Sequence, residues 1–146
     1  MEGKAVLFSS FGQVSAMPVC LKTQVPEDVI EIVQLLENSF SGINLEDICA
    51  PNCFTVEKTL IDTLSIPVFH DDQHGTAIIV LAGIINGLKV VGKDKENCKV
   101  IVNGAGSAGI AITKLLLRYG FKNVTLCDKV GILNKKTPDL NWMQEK

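Results

Sequence analysis

Residues 98–128 constrain this 146-residue chain more than any other stretch. The run CKVIVN (98–103) is a strand with a nearly continuous apolar pattern. It enters Gly104-Ala105-Gly106-Ser107-Ala108-Gly109, and an apolar helix follows over 110–119 and stops at Gly120. A second strand, NVTLC (123–127), then ends in Asp128. G-x-G-x-x-G alone is a weak signal, because glycines are common in turns. Here a strand precedes it, a helix follows it and an acid closes the next strand, which is the context a dinucleotide site requires. Gly104 allows the tight turn, Gly106 lets the backbone approach a pyrophosphate, and Gly109 lets helix pack on strand. The helix N-terminus offers free N–H groups and a positive dipole to phosphate. Asp128 sits where a carboxylate accepts from the adenine ribose hydroxyls. It repels a 2′-phosphate and so favours NAD over NADP, while the adjacent Lys129 softens that preference and keeps NADP possible. The competing reading is a glycine-tightened βαβ turn with no ligand.

The second organising stretch is IPVFHDDQHGTAIIV, residues 66–80. A short apolar strand (66–69) runs into Asp71 and Asp72, and a long apolar helix begins near Gly75. Upstream, AMPVCL (16–21) reads as a short buried strand. A helix follows from Pro26 through Phe40, with proline and acids in its first turn and apolar residues at helical spacing. INL (43–45) is another strand, and it also runs into acids, Glu46 and Asp47. Pro51 opens the next helix. Strand, helix, strand, helix, strand argues for parallel strands with crossover helices. Adjacent parallel strands set Glu46-Asp47 beside Asp71-Asp72, at the carboxyl ends where ligands collect in such sheets. Two neighbouring acids are costly to desolvate without a compensating cation. An all-oxygen set suits Mg2+ or Mn2+. N-cap chemistry for the following helix is the competing reading of each pair. His70 and His74 read as outer or surface groups rather than ligands.

Charge and composition exclude several classes. A net charge of −2 and a pI near 5.6 leave no basic footprint for nucleic acid or an anionic membrane. The five cysteines are an odd set without a zinc-ligand pattern, and they read as mostly buried free thiols of a reducing compartment. Residues 77–91, broken by Gly83, Asn86, Gly87 and Lys89, fall short of the ~20 apolar residues a membrane span needs. They predict a buried helix instead. No secretory leader pattern opens the chain, so a cytoplasmic location is expected. Residues 2–11 predict a short helix ending at Gly12. Lys4 within it reads on composition alone as a solvated lysine. The polar tail from Gly131, with Pro138 and Trp142, has no evident place.

Four segments, MEGKAVLF, INLEDICAPNCF, IPVFHDDQHGTA and VNGAGSAGIA, in this order and at these spacings, closely resemble the bacterial-type malic enzymes. The related malolactic enzymes share much of the architecture. The resemblance implies an α/β fold. Residues 1–70 would belong to the metal and substrate domain, built of parallel βαβ units, and residues 71–146 would begin a Rossmann-type NAD(P)-binding domain. It implies oxidative decarboxylation of L-malate to pyruvate and CO2 with reduction of NAD(P) and a divalent metal. Carried over by position, Glu46, Asp47 and Asp72 would be the metal ligands. Lys4 would be the general base, and Asp71 the carboxylate that orients it. That reverses the bland reading of Lys4. Such a base must be neutral, so its pKa has to fall from an ordinary value of about 10.4. The resemblance also implies a homo-oligomer, commonly a dimer, for a full-length member.

Members of that family carry a catalytic tyrosine and a substrate-binding arginine upstream of MEGKA, and asparagines downstream. The only tyrosine and arginine here, Tyr119 and Arg118, lie in the helix after the glycine loop. The chain therefore reads as an internal piece of a longer enzyme, and the 146 residues alone are expected to be inactive. Malolactic chemistry and a non-catalytic dinucleotide-binding module are the alternatives.

Overall fold

The computed structural model describes residues 1–145. Two small sheets carry the parallel connections. In the first, β1 (Ile43–Leu45) pairs in parallel with β2 (Val68–His70). Between them runs α3 (Asn52–Thr63), with Pro51 as its N-cap residue. In the second, β3 (Lys99–Asn103) and β4 (Asn123–Asp128) are parallel, joined by α5 (Ser107–Tyr119). This is the α/β architecture expected from the alternation of strand and helix. A two-residue strand, β5 (Gly131–Ile132), adds antiparallel to β4 and gives the tail its start.

The first core lies under the β1/β2 sheet. Val29 and Val33 of α2 (Pro26–Leu35) meet Leu45, Val56 and Leu60 there. The α-form of α2 stops at Leu35, short of the expected Phe40, and a single 3-10 turn follows at Glu37–Ser39. Glu37 turns its carboxylate away to accept from the Ser65 N–H at 2.6 Å and its hydroxyl at 2.7 Å. The second core joins the two halves. Cys53 and Phe54 of α3 pack with Ile110 of α5, and Trp142 closes edge-on over Phe54 with centroids 6.0 Å apart. The tail is thereby placed against α3, which its polar composition did not suggest.

Four expectations fail. No strand forms over residues 16–21. Pro18 removes a donor, no neighbouring strand pairs with the segment, and Met17 stays 71% exposed. The long apolar helix α4 (Thr76–Val91) is not buried. It packs on α5, yet Ile79 and Val90 are 73% and 86% exposed, because a helix apolar on every side covers only one of them against a single neighbour. Its length was also underestimated. Together with the turn before it, helix runs continuously over residues 71–91. That is long and apolar enough to cross a bilayer by length and composition, although two carboxylates stand at its start. Finally, only Cys53 among the five free cysteines is buried; Cys20 and Cys49 are exposed.

Candidate active site

The register of the first sheet builds the acid group. Ile43, Asn44 and Leu45 stand opposite Val68, Phe69 and His70, so the next residues on each strand, Glu46 and Asp71, leave the sheet side by side. Carboxylate oxygens of Glu46, Asp71 and Asp72 lie within 4.8 Å of one another. Asp47 does not join them with its side chain. Its backbone is left-handed (φ 59°), a conformation Asp tolerates better than most residues, and its N–H points at Asp72 Oδ2 across 3.3 Å.

Lys4 closes the group. It sits on α1 (Glu2–Gly12), where Gln13 takes the left-handed C-terminal position. The Nζ donates to Asp71 Oδ2 at 2.7 Å and lies 3.3 Å from Glu46 Oε2. Asn44 Nδ2 donates to the same Glu46 oxygen at 3.1 Å. No residue of α1 is buried, and this ion pair ties the helix to the body. The hydrogen bond to Asp71, opposed by partial burial and aided by Glu46, holds Lys4 above its ordinary pKa. This is opposite to the lowering a general base needs. The carboxylates favour the charged ammonium.

The turn that carries the two aspartates is π-helical, Asp71–Gly75, and it flows into α4. Such turns recur at functional sites. A side chain at Gly75 would run into the Asp71 carboxylate, which folds back over the turn. His70 is fully buried, and neither ring nitrogen has a hydrogen-bond partner among the described residues. His74 is half exposed with its Nε2 2.7 Å from Glu57 Oε1. His70 is therefore not the surface group that one of its two readings made it. Glu57 and Gln73, both buried, were missed altogether. A signal existed: Cys53, Val56, Glu57 and Leu60 form the buried stripe of α3, and a carboxylate on that stripe requires a partner.

The glycine loop follows from β3. Gly104 takes φ +114° and its N–H donates to the Cys127 carbonyl at 2.8 Å, which ties the loop to the end of β4. Gly109 lies so close to the Gly104 carbonyl that any Cβ there would collide with it. Around Gly106 there is open space. Ala105 is buried, and its carbonyl accepts from Gln144 Nε2 of the tail at 3.0 Å. Ser107 and Ala108 open α5, whose first amides face the loop without intrahelical acceptors. Asp128 ends β4, and one of its oxygens accepts from the Lys129 N–H at 2.8 Å. The π-helical turn packs on α5, so the acid group and the loop share one helix as their common support.

The strand–glycine turn–helix unit and the parallel strands make this a Rossmann-like α/β chain. Its sequence from residue 73 to 146 matches the family described as "Malic enzyme, NAD binding domain". It is 53% identical over 139 residues to the bifunctional malic/malolactic enzyme of Bacillus subtilis, covering 95% of this chain and 34% of that protein. It is 53% identical over 135 residues to the NAD-dependent malic enzyme of Geobacillus stearothermophilus, covering 92% and 28%. To the NADP-dependent malic enzyme of Haemophilus influenzae it is 47% identical, covering 95% and 19%. The crystal structure of the NAD-dependent malic enzyme of Thermotoga maritima superposes with a TM-score of 0.93 at 50% identity, over 98% of this chain and 38% of that one. The chain belongs to the malic enzyme family. It spans about a third or less of the length of these curated relatives.

Proposed function

We infer that this chain is the part of a malic enzyme that holds the divalent cation and begins the nucleotide site. The reaction is oxidative decarboxylation of L-malate: malate and NAD(P)+ give pyruvate, CO2 and NAD(P)H. The observation that carries this reading is Lys4 bonded to Asp71 at 2.7 Å, beside three converging carboxylates at the carboxyl ends of parallel strands. Residues 1–70 form the cation and substrate side, and residues 71–146 begin the nucleotide domain. The family match over 73–146 supports that division.

Glu46, Asp47 and Asp72 are the residues we assign to Mg2+ or Mn2+. The donor set fits. It is all oxygen, the Glu46 and Asp72 carboxylates converge with that of Asp71, and the Lys4 ammonium offsets their charge; the Asp47 side chain stands outside that convergence. A cation held there would supply Lewis-acid chemistry to the malate hydroxyl and would offset the carboxylate charge that favours the Lys4 ammonium. Lys4 Nζ would accept the proton of that hydroxyl, and a bound nicotinamide would supply the hydride acceptor for C2. Asp71 orients Lys4 through their hydrogen bond. Gly104, Ala105, Gly106, Ser107, Ala108 and Gly109 receive the pyrophosphate, with the α5 N-terminus behind them. Asp128 receives the adenine ribose and favours NAD over NADP. We assign no residue of this chain to protonation of the enol carbon. Tyr119 stands at the far end of α5 from the loop, with Lys95 over its ring.

The experiment is a transplant. Replacing the matching segment of the Bacillus subtilis relative with this chain tests it in a complete enzyme. A folded chimera should reduce NAD in the presence of malate and Mn2+, and its Lys4→Met variant should not. A folded chimera that forms no NADH and no lactate would contradict the reading and favour a non-catalytic dinucleotide-binding module. A second outcome has specific support, since that relative is named for both malic and malolactic activity. Lactate without net NADH would assign malolactic chemistry. The 146-residue chain alone should produce no NADH from malate, Mn2+ and NAD.

A further inference from the structure

The two aspartates of the acid group do not stand on a strand or on regular helix. They open a five-residue π-helical turn, Asp71–Gly75, and that geometry has to be held by something. On one side lies Gly75, whose missing side chain leaves room for the Asp71 carboxylate to fold back over the turn. On the other side lies Glu57 of α3, with only 7% of its surface exposed. Gln73, 4% exposed, donates from Nε2 to Glu57 Oε2 at 3.0 Å. His74 donates from Nε2 to Glu57 Oε1 at 2.7 Å. One carboxylate thus spans the two residues that follow Asp72, using both of its oxygens.

A buried carboxylate in an apolar helix face is unfavourable unless its hydrogen bonds are met. Here they are met only by residues of the π-helical turn among the described groups. The bond therefore works in both directions: the turn satisfies Glu57, and Glu57 fixes the turn. Because α3 directly follows β1 and the turn directly follows β2, the same bond sets Asp71 and Asp72 against Glu46.

We propose that Glu57 is the positioning residue of the acid group: through Gln73 and His74 it holds the π-helical turn that aims Asp71 at Lys4 and Asp72 at the cation site. The proposal rests on the assignment of that group to a divalent cation. Groups that orient metal-binding side chains typically change affinity by about 10- to 100-fold when removed.

The test uses Mn2+ alone as probe, titrated into the 146-residue chain and followed by the electron paramagnetic resonance of free Mn2+. Glu57→Leu keeps the volume and removes both acceptors. It should retain the far-ultraviolet circular dichroism and weaken Mn2+ binding about 10- to 100-fold. Amide exchange at residues 71–75 should rise in the same variant without metal. Glu57→Gln should restore near-native affinity, because the amide of Gln73 can flip to meet it. If Glu57→Leu does not fold, Gln73→Leu breaks the same bond from the other side and should show the same loss. Native-like affinity with unchanged exchange at 71–75 in the leucine variants would overturn the proposal, as would a Glu57→Gln affinity no better than theirs. If the unmodified chain takes up no Mn2+, the cation assignment itself fails and this proposal falls with it. If it does and Glu57→Leu binds equally well, only the role of Glu57 fails.

Discussion

The two ends of this chain reach a ligand site by opposite means. At the β1/β2 end, side chains do the work: parallel register delivers Glu46 and Asp71 together, and Lys4 balances their charge. At the β3/β4 end, missing side chains do it: Gly109 clears the Gly104 carbonyl, and Gly104 takes a backbone conformation other residues avoid. The first site is therefore tuned by charge, at little expense to the fold. The second is part of the fold, and at Gly109 it has no room for an added atom.

Substitutions should separate the two ends, and the largest effect is expected at the loop. Gly109→Ala would place a Cβ on backbone that cannot swing aside. Helix propensity favours alanine by about 1 kcal/mol, but the overlap should still leave a net loss of about 2–3 kcal/mol in urea unfolding. An equally stable variant would show that α5 does not sit tightly on the loop. Gly104→Ala should lose less, about 1–2 kcal/mol, because only backbone strain is added and the space around it is open. At the charged end, Lys4→Met should change global stability by no more than about 1 kcal/mol, since the pair is part-exposed. Its effect should be local. With no buried residue on α1, amide exchange and proteolysis over residues 2–12 should rise severalfold. Undisturbed protection of that helix would mean that another contact holds it.

The smallest effect concerns the α3 support shared by both ends. Burial pushes the Cys53 thiol up to about 11, despite a backbone hydrogen bond that opposes it. At pH 8 about one thiol in a thousand is then ionised. A thiol reagent should modify the exposed Cys20 and Cys49 within minutes and leave Cys53 intact while the chain is folded. Prompt labelling of Cys53 would show that the α3–α5 contact opens readily.

The same contrast explains how far the sequence could be read. The glycine turn was legible because its residues answer to local backbone geometry, and Gly104 and Gly120 do take positive φ. The meeting of Glu46 and Asp71 was legible because parallel strands ending in acids leave few arrangements. The strand expected over 16–21 was not formed, because strand pattern says nothing about whether a pairing edge exists. The exposure of α4 was hidden for a related reason: a run apolar on every side predicts burial without naming what covers it. Asp47 was grouped with the other acids from adjacency and from the family resemblance, and its left-handed backbone turns its N–H toward Asp72. Glu57 was overlooked because a single acid on a helix stripe belongs to no motif, and only the fold shows that the stripe is buried. The π-helical turn has no residue signature in HDDQHG that distinguishes it from an ordinary first helical turn.

The central claim is that the charged end binds a divalent cation, and Mn2+ titration of the chain tests it most directly. The account predicts one Mn2+ per chain, with affinity lost in Asp72→Asn and in Glu46→Gln while thermal unfolding is unchanged or raised, as carboxylate repulsion is relieved. Absence of binding by the unmodified chain, or binding that survives both substitutions, would contradict it.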